Sequence, residues 1–126
     1  MPGTIIFRPI QANFNSDHSL SGKLCPYCEF KLGWRSIRSS VANDEDCSAE
    51  WKEEIVLKKH NKEHFAQLKI KDKEKDKFWS NGTLGEAKIN LEPVVCRGKV
   101  LGWYNFYRKN KLAGEVLLEV EYVPED

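Results

Sequence analysis

The segment GEVLLEVEYV, Gly114 to Val123, sets Val116, Leu118, Val120 and Tyr122 on one face and Glu115, Glu119 and Glu121 on the other, with Leu117 as the exception. AQLKIK repeats the pattern, with Ala66, Leu68 and Ile70 inward and Gln67, Lys69 and Lys71 outward. A period of two is that of a strand with one buried and one wet face, which antiparallel sheets accommodate. Eight such runs are predicted: Gly3 to Gln11, Pro26 to Leu32, Arg35 to Val41, Trp51 to Leu57, Phe65 to Lys71, Thr83 to Ile89, Trp103 to Tyr107 and Glu115 to Val123. Gly22, Asn43 to Asp46, Asn61, Gly82, Gly98 and Gly114 are the expected turn residues between them. The expected fold is all-β, an eight-stranded antiparallel β-sandwich. NLEPVVCRG is the expected irregular crossover, with no helix beyond a turn or two, and Pro9 implies an edge position or a bulge in the first strand.

The 126 residues suit a single domain spanning 1–126, which buries roughly two thirds of the surface of its unfolded chain. A formal net charge of +1 provides no global field toward nucleic acid or an acidic membrane, so an electrostatic partner must be met by a local patch. Apolar runs fall far short of the roughly 20 residues that span a bilayer, and the N-terminus lacks signal-peptide organisation. The chain therefore reads as cytoplasmic and without a transmembrane segment. Its four cysteines, Cys25, Cys28, Cys47 and Cys96, are not needed as disulfides in a chain that builds its own core.

GTIIFRPIQANF followed by GKLCPYCEFKLG, then RSSVA, AEWKEE, LKIKDKEKDKFWSNGTLGEAKINLEP and GEVLLEVEYVPED resemble a C2 domain over essentially the whole chain. The resemblance is to small single-C2 proteins of the plant elicitor-responsive type. It implies the permuted, type II topology, with tip loops at about residues 13–25, 42–49 and 72–83.

C-P-Y-C, Cys25 to Cys28, is also the motif of a glutaredoxin site and half of many zinc sites. In an extended segment, however, Cys28 shares a face with Phe30 and Leu32 while Cys25 sits at an odd offset from it. A redox dithiol also needs a helix N-terminus to lower its thiol pKa, and EFKLGWRSI does not read as helix. Cys28 is expected in the core and Cys25 in the loop, with neither disulfide nor metal.

Calcium-binding members of the family gather about five aspartates, because the ion takes 6 to 8 oxygens. Carried over by position, two of those aspartates fall on Ser19 and Cys25, and a third on Gly82. The weak candidate ligands are Asp17, Asp72, Glu74 and Asp76. No cofactor is required, and calcium binding is expected to be weak.

For a membrane, the resemblance points to loop 3, where Lys73, Lys75 and Lys77 run into the aromatic pair Phe78 and Trp79. A second candidate is a basic strand face of Arg38, Lys52, Lys69 and Lys71, diluted by Glu29 and Glu54. No Ser-His-Asp order, paired carboxylates in a cleft or phosphate-cradling glycine loop suggests an enzyme. Two functions are expected. The first is a peripheral membrane-targeting module binding phospholipid with weak or absent calcium dependence. The alternative is a protein-interaction or scaffolding module that meets no lipid.

Overall fold

The computed structural model describes residues 2–15, 25–42, 48–73 and 83–125. Among these residues the strands are β1 (Gly3–Phe14), β2 (Pro26–Leu32), β3 (Arg35–Arg38), β4 (Ser48–Glu50), β5 (Ile55–Lys59), β6 (Phe65–Asp72), β7 (Thr83–Asn90), β8 (Lys99–Arg108) and β9 (Lys111–Pro124), and a short helix, α1 (Glu92–Arg97), lies between β7 and β8. All pairings are antiparallel, in the order β3-β2-β6-β7-β8-β9-β1-β4, with β5 also on β1. Between β7 and β8 the described residues share one backbone pair, Glu86 with Tyr107. The sheet therefore curls there into two layers, β3-β2-β6-β7 and β8-β9-β1 with β4 and β5, and the all-β antiparallel sandwich is borne out. The first and last strands pair along nearly their full length.

Strict alternation explains the core. Every second residue of β1 from Gly3 to Phe7 and of β9 from Val116 to Tyr122 is buried, as are Cys28, Phe30 and Leu32 of β2. Phe7 of one layer stacks on Phe30 of the other at 4.5 Å between ring centroids. Phe14 meets Phe106 edge-on at 5.6 Å. Each such pair adds about 0.5–1.5 kcal/mol beyond the area it hides.

Nine strands form among the described residues where eight were expected: β4 lies ahead of the predicted Trp51 to Leu57 run, at the end of the predicted second tip loop, and the first four residues of that run are not strand. β4 and β5 lie on the same edge of β1, and residues 51–54 between them leave the ladder opposite Pro9. Pro9 has no N–H to offer, and the β1–β9 register shifts between Pro9 and Gln11, which is the bulge the proline implied. Trp51 turns inward instead, buried, its indole N–H donating to the Ser40 carbonyl at 3.1 Å.

Two further expectations are corrected. Gly114 is no turn residue: it lies in β9, and the β8–β9 turn is Lys109 and Asn110, whose φ values of 50° and 66° are left-handed. β3 ends at Arg38 rather than Val41, though Ser39 and Ala42 still donate to the Cys28 and Pro26 carbonyls.

Candidate binding face

Outward positions of the first layer are set by register. Arg38, Glu29, Lys69 and Glu86 form one cross-strand row over β3, β2, β6 and β7. Lys31, Gln67 and Lys88 form the next row, away from the β6–β7 loop, and Lys71 lies toward that loop, opposite Tyr27 and Thr83. The face thus carries five cations, Lys31, Arg38, Lys69, Lys71 and Lys88, against the carboxylates of Glu29 and Glu86.

Two of those cations are already engaged. Lys71 Nζ lies 3.6 Å from Glu29 and Lys69 Nζ 3.9 Å from Glu86. Arg38 spreads over the Tyr27 ring at 5.5 Å. Lys88 Nζ stands 4.0 Å over the ring of Phe65. Among the described residues, neither Lys31 nor Lys88 has a carboxylate partner. They border a groove of about 670 Å³ whose walls include Phe65, Gln67, Asn105 and Tyr107. The groove opens where β7 and β8 part after their one described pair. Phe65 and Tyr107 are each half exposed there. The arrangement suits an anionic, partly apolar surface: ammonium groups for phosphate oxygens, ring faces for carbon.

Of the predicted basic face, Arg38, Lys69 and Lys71 come together. Lys52 does not: it lies in residues 51–54, beside Arg8, Glu53, Glu54 and Glu119 on the second layer. Strand alternation alone could not show that, because Lys52 sits where the ladder is interrupted. The groove residues Lys31, Lys88, Phe65 and Tyr107 were not singled out from the sequence. Their signal was available in part, since Lys31 is two residues beyond Glu29 and Lys88 two beyond Glu86, on the same outer face.

Of the loop 3 candidates, Lys73 is exposed just after β6, and its N–H donates to the Cys25 carbonyl at 3.0 Å. Lys75, Lys77, Phe78 and Trp79 lie outside the described residues, as do the candidate ligands Asp17, Glu74 and Asp76. Asp72 is buried at the end of β6, and its Oδ1 accepts the Cys25 N–H at 3.4 Å. The described part of this end therefore offers a calcium ion one carboxylate, turned onto a backbone amide, and beside it the soft sulfur of Cys25. The sulfur does not suit a hard cation, and one carboxylate supplies only part of the 6 to 8 oxygens that calcium takes. No group of three or more His, Cys, Asp or Glu side chains able to hold a metal occurs among the described residues.

Cys25 and Cys28 are both free thiols, the first half-buried and the second fully buried. Burial, and after it the charge of Glu53, push the Cys28 thiol well up, with the Ser39 hydroxyl opposing. Native-state alkylation is therefore expected to label exposed Cys96 fast and Cys25 more slowly, and to reach Cys28 only on unfolding, as read by mass spectrometry. Labelling of Cys28 at the rate of Cys96 would contradict its burial.

Comparison with known proteins adds an independent line. The sequence profile of the C2 domain family matches residues 3–106. Elicitor-responsive protein 3 of Oryza sativa subsp. japonica is 29% identical over 103 residues, covering 80% of this chain and 69% of that protein. The 16 kDa phloem protein 2 of Arabidopsis thaliana is 26% identical over 125 residues, covering 98% of this chain and 84% of that protein. Among solved structures, a C2 domain-containing protein from an elicitor-responsive gene superposes with a TM-score of 0.86 at 25% identity, over 99% of this chain and 91% of that one.

Proposed function

Because the chain belongs to the C2 domain family, we propose that it is a peripheral membrane-targeting module that binds anionic phospholipid with weak or absent calcium dependence. The observation that carries this reading is the first layer's outer face. There Lys31 and Lys88 have no carboxylate partner among the described residues and border a groove with two half-exposed aromatic rings. Juxtamembrane lysines each contribute about 1 kcal/mol toward an anionic leaflet, and apolar area adds about 25 cal/mol per Å² buried. Loop 3, with Phe78 and Trp79, is the second contact we propose. Among the described residues no helix is long and apolar enough to cross a membrane. Association through such a face is peripheral and reversible.

The alternative of a protein-interaction module is favoured by a different observation. Leu101 and Trp103 of β8 stand 58% and 47% exposed on the opposite layer, in phase with Lys99 on the same strand.

Liposome co-sedimentation separates the two. Binding to anionic vesicles, little binding to neutral ones, and no more than a small change on adding calcium are expected. A calcium site with Kd near about 1 mM would stabilise the fold by only about 0.4 kcal/mol at about 1 mM ion. Absence of binding to both vesicle types would leave the protein-interaction reading. Binding that requires micromolar calcium would mean that Asp17, Glu74 and Asp76 build the site that Asp72 alone does not.

A further inference from the structure

Trp34 is 84% exposed, far more than any other large hydrophobic side chain described. It sits in the two-residue turn between β2 and β3, at the end of the sandwich opposite the β1–β2 and β6–β7 loops. A tryptophan in water at a turn costs solubility and contributes nothing to the core, so the way it is held matters.

The turn is bolted in place. Gly33 adopts a φ of +66°, which a side chain rarely tolerates, and a Cβ there would run into the Glu63 carboxylate. Arg35 donates through Nη2 to both Glu63 oxygens at 2.7 Å and through Nη1 to the Lys58 carbonyl. Glu63 also accepts the His60 N–H at 2.8 Å. Burial opposes ionisation of Glu63, but the His60 amide and the Arg35 guanidinium together hold its carboxyl below the usual range. This fork ties the β2–β3 turn to the β5–β6 turn, and the Arg35 guanidinium lies 5.8 Å from the Trp34 ring. The indole is thus presented on a rigid mount rather than a loose tip.

Lysines gather at this end of the sandwich. Lys31, Lys58 and Lys62 are exposed on its strands and turn, with Glu92 as an exposed carboxylate near Glu63. Glu63 is consumed by Arg35, and Glu125, 3.9 Å from Lys58, is the other carboxylate paired at this end among the described residues. An amphipathic ring at such an end complements one surface well: the headgroup layer of an anionic bilayer, where indoles concentrate and lysines reach phosphate.

We infer that Trp34 enters the interface of an anionic bilayer and anchors the basic face at the end opposite the family's tip loops. This rests on the membrane reading above, and gives the domain a contact in which the Lys31 side of the face, not loop 3 alone, is held down. Because the mount is preformed, little ordering is lost on docking.

The test uses the full chain with vesicles of phosphatidylserine and phosphatidylcholine, compared with phosphatidylcholine alone. Trp34→Ala is expected to weaken binding to the anionic vesicles about tenfold, with an unchanged melting temperature because the ring packs on no core. Trp34→Phe should retain most of the binding. Lipids brominated near the headgroup end should quench the wild-type tryptophan fluorescence, and a clear part of that quenching should vanish in Trp34→Phe. If Trp34→Ala binds like wild type, or quenching is the same in Trp34→Phe, the inference is overturned and a protein surface becomes the occupant of the ring. If wild type binds neither vesicle, the membrane reading itself fails, an outcome distinct from selective indifference to Trp34.

Discussion

Phe106→Ala is expected to destabilise the protein by about 3–5 kcal/mol, read as a lower midpoint in urea denaturation. Phe106 is fully buried in β8, one residue before the Glu86–Tyr107 pair at which the two layers meet. Its ring fills space that two glycines leave for it, one from each layer. A Cβ on Gly85 would come within 3.1 Å of Phe106 Cε1 at its second-nearest approach, and one on Gly114 within 2.6 Å of Cζ. Deleting the ring opens a cavity that neither glycine can fill. Gly114→Val is the converse experiment: it forces the ring aside and presses on the Asn13 carbonyl, and should also destabilise, by about 1–3 kcal/mol or more. A loss below about 1.5 kcal/mol for Phe106→Ala would mean that the two layers close over the gap.

The largest expected effect on function comes from Lys31 and Lys88. Replacing both with glutamine should remove about 2 kcal/mol of attraction to anionic vesicles, roughly a thirtyfold rise in Kd, and the difference should shrink as salt is added. Lys69→Gln with Lys71→Gln should cost less. Those ammonium groups already sit beside Glu86 and Glu29, and must leave these carboxylates to reach a phosphate. Charge alone would make the two double variants equal, whereas the pairing pattern makes them unequal. Sedimentation with the same vesicles decides between them, and a larger loss from the Lys69 and Lys71 pair would refute the ranking. Both variants should stay folded, because none of the four lysines belongs to the buried core.

Much of the architecture is legible in side-chain alternation, because a half-buried strand writes its burial directly into every second residue. Val116, Leu118, Val120 and Tyr122 are all buried as their spacing demanded. Pro9 announced its bulge through a missing donor. Elsewhere the deciding interaction is distant in sequence. The interruption at residues 51–54 depends on where Pro9 falls on the neighbouring strand, which no local pattern records. Gly114 reads as a turn residue, and Gly85 as an unremarked strand position, until Phe106, from a third strand, is brought between them. The binding face follows the same rule. That Arg38, Lys69 and Lys71 point outward is a matter of parity, but which lysine meets a glutamate is a matter of cross-strand register. Lys52 shows the other failure, a residue whose layer cannot be read once its strand breaks.

The uneven distribution of charge has a consequence before any contact is made. The first layer's face is cationic, whereas the outward positions of β9 carry Glu115, Glu119 and Glu121, and Glu54 joins two of them around Arg8. The described charges of a chain whose formal charge is only +1 are therefore separated as a dipole across its thickness. Near a negative leaflet such a body experiences a torque as well as a pull, and within about a Debye length, roughly 8 Å at physiological salt, the field turns it before it collides. A larger fraction of encounters then begins with the lysines leading, so the dipole acts on the association rate rather than on the lifetime of the bound state.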